Sequence, residues 1–273
     1  MIAQTAEEIS MDILEQAEEW SWHYSKWPKD ENLRNYPFVK NETAPFSTLK
    51  SALPMLNLML ISSAGGYIEG TAPFDITAGD GDLTFREIPV EVEAADLKFA
   101  ARGYDPTAVL EDMNSQVPVQ RLQEYQANGV LGALNPIWFS FCGHIPNAKK
   151  MVDEMIPEFT ARVKRYDVQA ALIIPASRLC HQSCALIARS LEANGIATIM
   201  PTVDRAVAEM ARAPRIAYYK GDFGSVAGKP GWKQYQHRVL DESLRWIETF
   251  DQAGSRKLVV DLETATEAAR GER

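Results

Sequence analysis

Between residues 146 and 253, apolar runs of strand length alternate with amphipathic stretches of helix length, which constrains the fold more than any other feature. A helix over about 146–165 leads to the strand "VQAALIIP" over 168–175. Helix 181–194, strand 196–200, helix 203–212, strand 214–219 and helix 232–253 follow. Strands separated by helices of this length are βαβ units, which build a parallel sheet covered on both faces. The expected fold is therefore α/β: a parallel-sheet, Rossmann-like, three-layer architecture with an N-terminal helical arm.

The first half carries weaker versions of the same signal. "MLNLMLISSAGGYIEG" (55–70) is a continuous apolar run ending in Ser-Ser-Ala-Gly-Gly, as expected of a buried strand and a tight loop. "GDGDLTFREIPVEV" and "ADLKFAA" suggest two further strands, and after Pro106 two helical pieces are separated at Pro118 and stopped by Gly129. Ahead of these, a helix over 7–20 places Ile9, Ile13, Leu14 and Ala17 on one stripe. The aromatic segment "WSWHYSKWPKDENLRNYPF" then reads as loop-like, wrapping a core edge or filling a subunit contact. "GDFGSVAGKPG" reads as a mobile glycine loop and "ATEAARGER" as a frayed tail. The expected organisation is a helix and aromatic arm (1–50), an α/β domain (51–260, with lobes at about 51–145 and 146–260) and a tail (261–273).

A formal charge of −9, with no basic patch, argues against nucleic acid and anionic membranes as partners. No run approaches the roughly 20 apolar residues of a membrane span, and the acidic N-terminus is not a secretory signal. Three cysteines are too few for a disulfide scaffold, so the expected compartment is the reducing cytoplasm. Cys142 and His144 in "FSFCGHIPN" give no closed ligand set; no metal is expected, and no cofactor.

Two of the three cysteines lie at one strand-to-helix elbow, "ALIIPASRLCHQSCALIARSLEANG" (171–195). Cys184 falls on the inner stripe with Ile187, Ala188 and Leu191 and reads as core filler. Cys180 falls in the first helical turn at the carboxyl edge of a parallel strand, where free N–H groups and the helix dipole favour a thiolate. Arg178 and His181 stand beside it.

Several stretches together resemble one family: "SSAGGYIEGTAPFD", "GDLTFREIP", "GYDP…EDMNSQVPVQRLQEY…GVLG", "FSFCGHI", "LCHQSCALIARSLEANGIATI" and "PRIAYYKGDFGSVAGKPG". The family is the selenoprotein B component of the glycine, sarcosine and betaine reductases and D-proline reductase, and the resemblance runs from about residue 55 to 260. It implies a redox motif, Sec or Cys-x-x-Cys-x-x-Ser/Thr, at the elbow, with the first residue displacing an amine from the substrate carbon. Here Ser183 matches the last position and Cys180 the middle one, while the first is Ser177, which cannot cycle through a disulfide. Arg178 replaces the usual following proline, and Trp138 replaces a histidine often seen before the "SF-x-G" stretch.

The resemblance implies an oxidoreductase acting on a small amino acid or amine, in a homo-oligomer, with a partner subunit that carries a pyruvoyl group in the D-proline and glycine enzymes. The candidate catalytic residues are Cys180, Ser177 and Ser183. Ser63, Gly65, Gly66, Arg86, Asp105, His181 and Ser140 are candidates for binding substrate: Gly65 and Gly66 through backbone N–H groups, Arg86 through the substrate carboxylate. Two alternatives stand beside this reading. One is a non-redox ligand-binding or assembly subunit, the other a cofactor-independent racemase or lyase using Cys142 and Cys180.

Overall fold

The computed structural model describes residues 13–260 together with Thr266 and Ala269. The start of the expected N-terminal helix, including Ile9, and most of the tail 265–273 lie outside the described residues.

Among the described residues ten strands form: β1 (Asn57–Ser62), β2 (Gly66–Ile68), β3 (Phe85–Pro89), β4 (Leu97–Phe99), β5 (Ala133–Leu134), β6 (Ile137–Phe141), β7 (Ala170–Ile174), β8 (Ala197–Thr202), β9 (Arg215–Tyr218) and β10 (Gly254–Lys257). The main sheet runs β10-β9-β8-β7-β1-β6-β3, with β5 beside β1. Its pairs are parallel except that β3 lies antiparallel to β6 at the edge. β2 and β4 form a separate antiparallel pair.

Alternation along the strands sorts the core into two layers. Met59, Ile61, Phe139, Phe141, Ala171 and Ile173 pack against the helices of 148–164 and Arg178–Ala193. Leu58, Leu60, Leu172, Ile174 and Trp138 pack against Val119–Ala127 and Lys233–Thr249. Helices thus cover both faces of a mostly parallel sheet, the expected three-layer α/β arrangement. The strands and helices expected from 168 onward form within a few residues of their expected bounds, except that the last helix stops at Thr249 and the chain adds β10. Helix 148–164 widens into a π turn at Met151–Met155, where Pro157 follows and can offer no N–H to a regular ladder.

The N-terminal segment departs from its expected shape. Gln16 takes a left-handed conformation (φ 54) and the helix runs Ala17–Lys26, so "WSWHYSK" is helical rather than loop-like. Trp20, Tyr24, Trp27 and Tyr36 are buried in the same core layer as Phe139 and Phe159. On either side of this helix the chain crosses the outer face of helix Arg178–Ala193 as a strap. That helix meets the strap's backbone with polar side chains: Gln182 Oε1 accepts from Val39 N (2.7 Å), Arg189 Nε donates to Ile13 O (2.9 Å), and a Glu192 carboxylate oxygen accepts from Ser47 N (2.5 Å). Every residue from Leu179 to Glu192 is consequently buried.

Candidate functional site

β1 lies between β6 and β7, and the chain leaving β6 crosses β1 by way of helix 148–164 to reach β7. The strand order therefore reverses at this point, and the carboxyl ends of β1, β6 and β7 open a crevice of the kind that holds ligands in α/β sheets. Ser63, Gly143 and Ser177 follow these three strands directly or within three residues.

Ser177 is the N-cap of the elbow helix. Its Oγ accepts from Cys180 N (3.2 Å), and its hydroxyl donates to Cys180 Sγ (3.0 Å). The thiol in turn points to Ser63 O (3.8 Å), which also accepts from Gly143 N (3.1 Å). Ser63 Oγ accepts from Ala176 N (2.9 Å), tying β1 to the elbow. Gly143 is required by close approach: a Cβ there would lie 2.5 Å from Ser63 Cβ and 3.0 Å from Cys180 Sγ. Cys180 is 1 % exposed.

Two segments roof the crevice. Residues 100–105 cross the strand ends, with Ala100 N donating to Gly65 O (2.9 Å) and Tyr104 Oη to Ala64 O (2.7 Å). Gly103, at φ +78, lies against His144: a Cβ would sit 2.2 Å from His144 Nδ1 and 3.3 Å from Ser177 Cβ. The glycine loop 221–231 covers the other side. It is pinned, with Gly224 N donating to Ala176 O (2.8 Å) and Phe223 packed edge-on to His181. Gln116 joins loop to elbow, donating to Pro175 O (3.1 Å) and accepting from Val226 N (3.0 Å).

Burial sets the protonation of the groups around the thiol. His181 Nδ1 donates to Ser177 O (2.7 Å), and its Nε2 accepts from Val203 N and Asp204 N (both 3.2 Å). A proton on Nε2 would break both of these bonds, and burial pushes the His181 pKa down to about 4. His144 is likewise lowered to about 4, by burial and then by Arg102. Burial pushes the Cys142 thiol up to about 12 and raises Cys184 and Tyr104 as well.

The expected residues divide clearly. Cys180, Ser177 and Ser63 come together, and His181 is fully buried with both ring nitrogens bonded to backbone groups of the elbow and the loop after β8. Arg178 pairs with Asp204 (2.8 Å) rather than with the thiol. Ser183 is buried and donates to Leu179 O within its own helix. Gly65 N is taken by Phe141 O (2.9 Å), and Gly66 pairs with Phe99 in the β2–β4 ladder, so the N–H of Gly65 is not offered to a ligand. Ser140 lies opposite Arg86 on the β6–β3 ladder, with its Oγ buried and unpartnered. Arg86 bonds Thr84 Oγ1, Phe85 O and Ala72 O and lies over the Phe74 ring. Asp105 caps Thr107 and lines a separate cleft of about 610 Å³ with Phe223 and Trp232. No group of three or more metal-ligating side chains occurs among the described residues.

Gly143, His144, Tyr104 and Gln116 were not among the expected site residues. Their signal lay in the stretches "FSFCGHI", "GYDP" and "NSQVPV", but their roles depend on which strand ends meet in space.

The family model for glycine/sarcosine/betaine reductase selenoprotein B matches residues 85–176, ending one residue before Ser177. The D-proline reductase subunit gamma of Acetoanaerobium sticklandii is 28% identical over 199 residues, covering 73% of this chain and 81% of that one. The glycine reductase complex component B subunit gamma of Symbiobacterium thermophilum is 27% identical over 176 residues, 60% of this chain but only 38% of the relative. Its counterpart in Peptoclostridium litorale is 24% identical over 151 residues, 54% of this chain and 34% of that one. The chain thus spans most of the first relative and about a third of the other two. No solved structure matches the chain.

Proposed function

We propose that this chain, which is related to the glycine/sarcosine/betaine reductase selenoprotein B family and to D-proline reductase subunit gamma, is a subunit of a multi-component reductase acting on a small amino acid or amine. The observation that carries the reading is the elbow itself: a thiol at a helix N-terminus with the Ser177 hydroxyl donating to its sulfur at 3.0 Å. A fixed donor and a helix N-terminus stabilise charge that builds on sulfur during attack or release. Cys180 is the group that meets the substrate carbon, and Ser177 orients it. Cys180 displaces the amine and forms a thioether to the substrate carbon. Because a hydroxyl stands at 177, a thiol from outside the motif then attacks Cys180 Sγ, releasing the carbon to take up a proton and leaving a mixed disulfide. A second outside thiol reduces this back to Cys180, and this calls for a partner. The partner is a second subunit, in keeping with the relatives' names as subunits of complexes.

Alkylation rates test the chemistry. Cys142, Cys180 and Cys184 are 3 %, 1 % and 0 % exposed, so differences in their iodoacetamide labelling report reactivity more than access. Cys180 is expected to label fastest near neutral pH. Glycine, sarcosine, betaine or D-proline is expected to raise the melting temperature of the wild type but not of Cys180→Ala. Labelling of Cys180 no faster than that of the other two cysteines would remove it as a nucleophile. A second reading, a non-redox assembly or ligand-binding subunit, is favoured by Ser177 and by the closed roof; full complex activity in Cys180→Ser would select it.

A further inference from the structure

The glycine loop has an outer side as well as the inner side that roofs the crevice. Inside, Gly224 N, Val226 N, Ala227 N and Gly231 N donate to Ala176 O, Gln116 Oε1, Ser115 O and Asp112 Oδ2. A loop pinned along its length keeps one shape. The cleft of about 610 Å³ that its outer side lines, together with the short helix Thr107–Glu111, is therefore preformed and has the volume of a binding pocket.

The charge of this cleft is unbalanced. Asp105, Glu111 and Asp222 line it, against Lys229 as the one cation among its lining residues. Lys229 is drawn over the Trp232 and Tyr235 rings, 5.7 Å from each centroid. Asp105 is engaged in capping Thr107, but Glu111 and Asp222 are exposed, and their carboxylates have no hydrogen bond or ion pair among the described residues. Independently of the charge, apolar surface is left in water at the same place. Phe223 is 39 % exposed while its ring packs edge-on to His181, and Leu110, next to Glu111, is 63 % exposed. Apolar side chains grouped at a polar-rimmed cleft mark an interaction surface. An exposed aromatic ring in company with free carboxylates suits a guanidinium, whose plane stacks on the ring while its N–H groups reach the carboxylates.

We propose that this cleft docks a partner protein through an arginine side chain. The guanidinium lies on Phe223 and pairs with Asp222 and Glu111, and apolar residues flanking the arginine cover Leu110. The net charge of −9 favours the approach of a basic partner surface. This rests on the partner reading above and deepens it by saying where the partner sits. Phe223 touches His181 and Gly224 N is bonded to Ala176 O, so a partner on the outer side of the loop stands beside the elbow that carries Cys180.

The test uses acetyl-Leu-Arg-Leu-amide as the probe, with the same peptide carrying citrulline for arginine as its neutral isostere, and follows the full chain by nuclear magnetic resonance. The arginine peptide is expected to bind saturably and to shift the amide signals of Asp222, Phe223 and Gly231, while the citrulline peptide does neither. An exposed ion pair contributes up to about fivefold in affinity, so the double variant Glu111→Gln, Asp222→Asn is expected to bind the arginine peptide about tenfold more weakly. Both side chains are exposed and unbonded, so the double variant keeps its fold. No saturable binding of the arginine peptide, equal binding of the citrulline peptide, or unchanged affinity in the double variant would overturn the proposal. Propylguanidinium binding as tightly as the peptide would make the cleft a small-molecule site. A dimer, seen by sedimentation and broken by the double variant, would assign it to a second copy of this chain; either result overturns the proposal too. Peptide binding is expected to persist in Cys180→Ala, so an unreactive Cys180 would sink only the reductase reading.

Discussion

Gly143 occupies the tightest point of the crevice, where one added carbon meets Ser63 Cβ at 2.5 Å and Cys180 Sγ at 3.0 Å. Neither neighbour can yield freely. Ser63 is fixed by Ala176 N and Ile174 O, and Cys180 sits in the capped first turn of its helix. Gly143→Ala is therefore an overpacking change and is expected to cost about 1–3 kcal/mol. In a chain of this size that lowers the melting temperature by roughly 2–4 °C per kcal/mol, measurable by calorimetry. The same variant is expected to change the Cys180 labelling rate, since it displaces the sulfur from the Ser177 hydroxyl. An unaltered melting temperature would mean that the loop after β6 relaxes outward and that Gly143 does not set the thiol's position. His181 shows the opposite case: its place beside Cys180 in sequence suggested a substrate contact, but at the next helical position it turns to Ser177 O and the β8 loop.

Among the elements, the elbow helix is unusual in having a polar face with little access to water. Arg215 and Glu192 are both fully buried and paired, and the same Glu192 carboxylate takes Thr198 N (2.7 Å) while Arg215 Nη2 holds Ser47 O (2.5 Å). Removing one partner leaves the other charge in the core, so Glu192→Ala is expected to cost about 3–5 kcal/mol by urea unfolding. Replacing both by methionine is expected to recover part of that loss; a double variant as unstable as the single one would place the cost in the strap contacts, not in the unpaired charge.

The strap also marks the limit of what could be read from sequence. The strands β1, β7, β8 and β9 were legible because apolar runs bounded by Gly, Pro and helices leave few alternatives. The strand β6 was not, because "IWFSF" is short and runs into Cys-Gly-His without a turn signal. Nothing local in Gln182, Arg189 and Glu192 says what they bind, and only the path of residues 13–50 shows that they bind backbone. At the candidate site, Cys180 was legible from the elbow, because a place in the first helical turn is a local signal, whereas Ser177 was reached through the motif that the resemblance implies and its capping role was not foreseen. Ser63, Gly143 and Tyr104 converge through sheet order, which no local pattern encodes.

At the scale of the molecule, these buried groups couple stability to pH. His144 and His181 both titrate at about 4 in the folded chain, against an ordinary value of 6.5. Between those two values the unfolded chain takes up protons that the folded chain refuses. Stability therefore falls as pH drops from 6.5 toward 4, by up to about 1.4 kcal/mol per pH unit for each imidazole, and the effect is absent above 6.5. Glu192, raised by burial, acts in the opposite sense just above its ordinary value of 4.5, because the folded chain there holds the proton more tightly. Below about pH 4, Asp112 takes over: Gln236, Gly231 and Asn114 donate to its carboxylate and lower its pKa, so protonating it weakens the anchor of the glycine loop. Urea unfolding is accordingly expected to show a stability plateau from pH 7 to 8 and a fall of several kcal/mol by pH 4.5. His181→Gln is expected to flatten that slope even though it lowers stability at pH 7, where the wild-type imidazole makes three hydrogen bonds. A wild-type stability that stays constant between pH 6.5 and 4.5 would mean that the imidazoles protonate in place and that the roof opens to let them do so. In that case Cys180 would label faster at pH 5 than its chemistry alone allows, which the alkylation assay would detect.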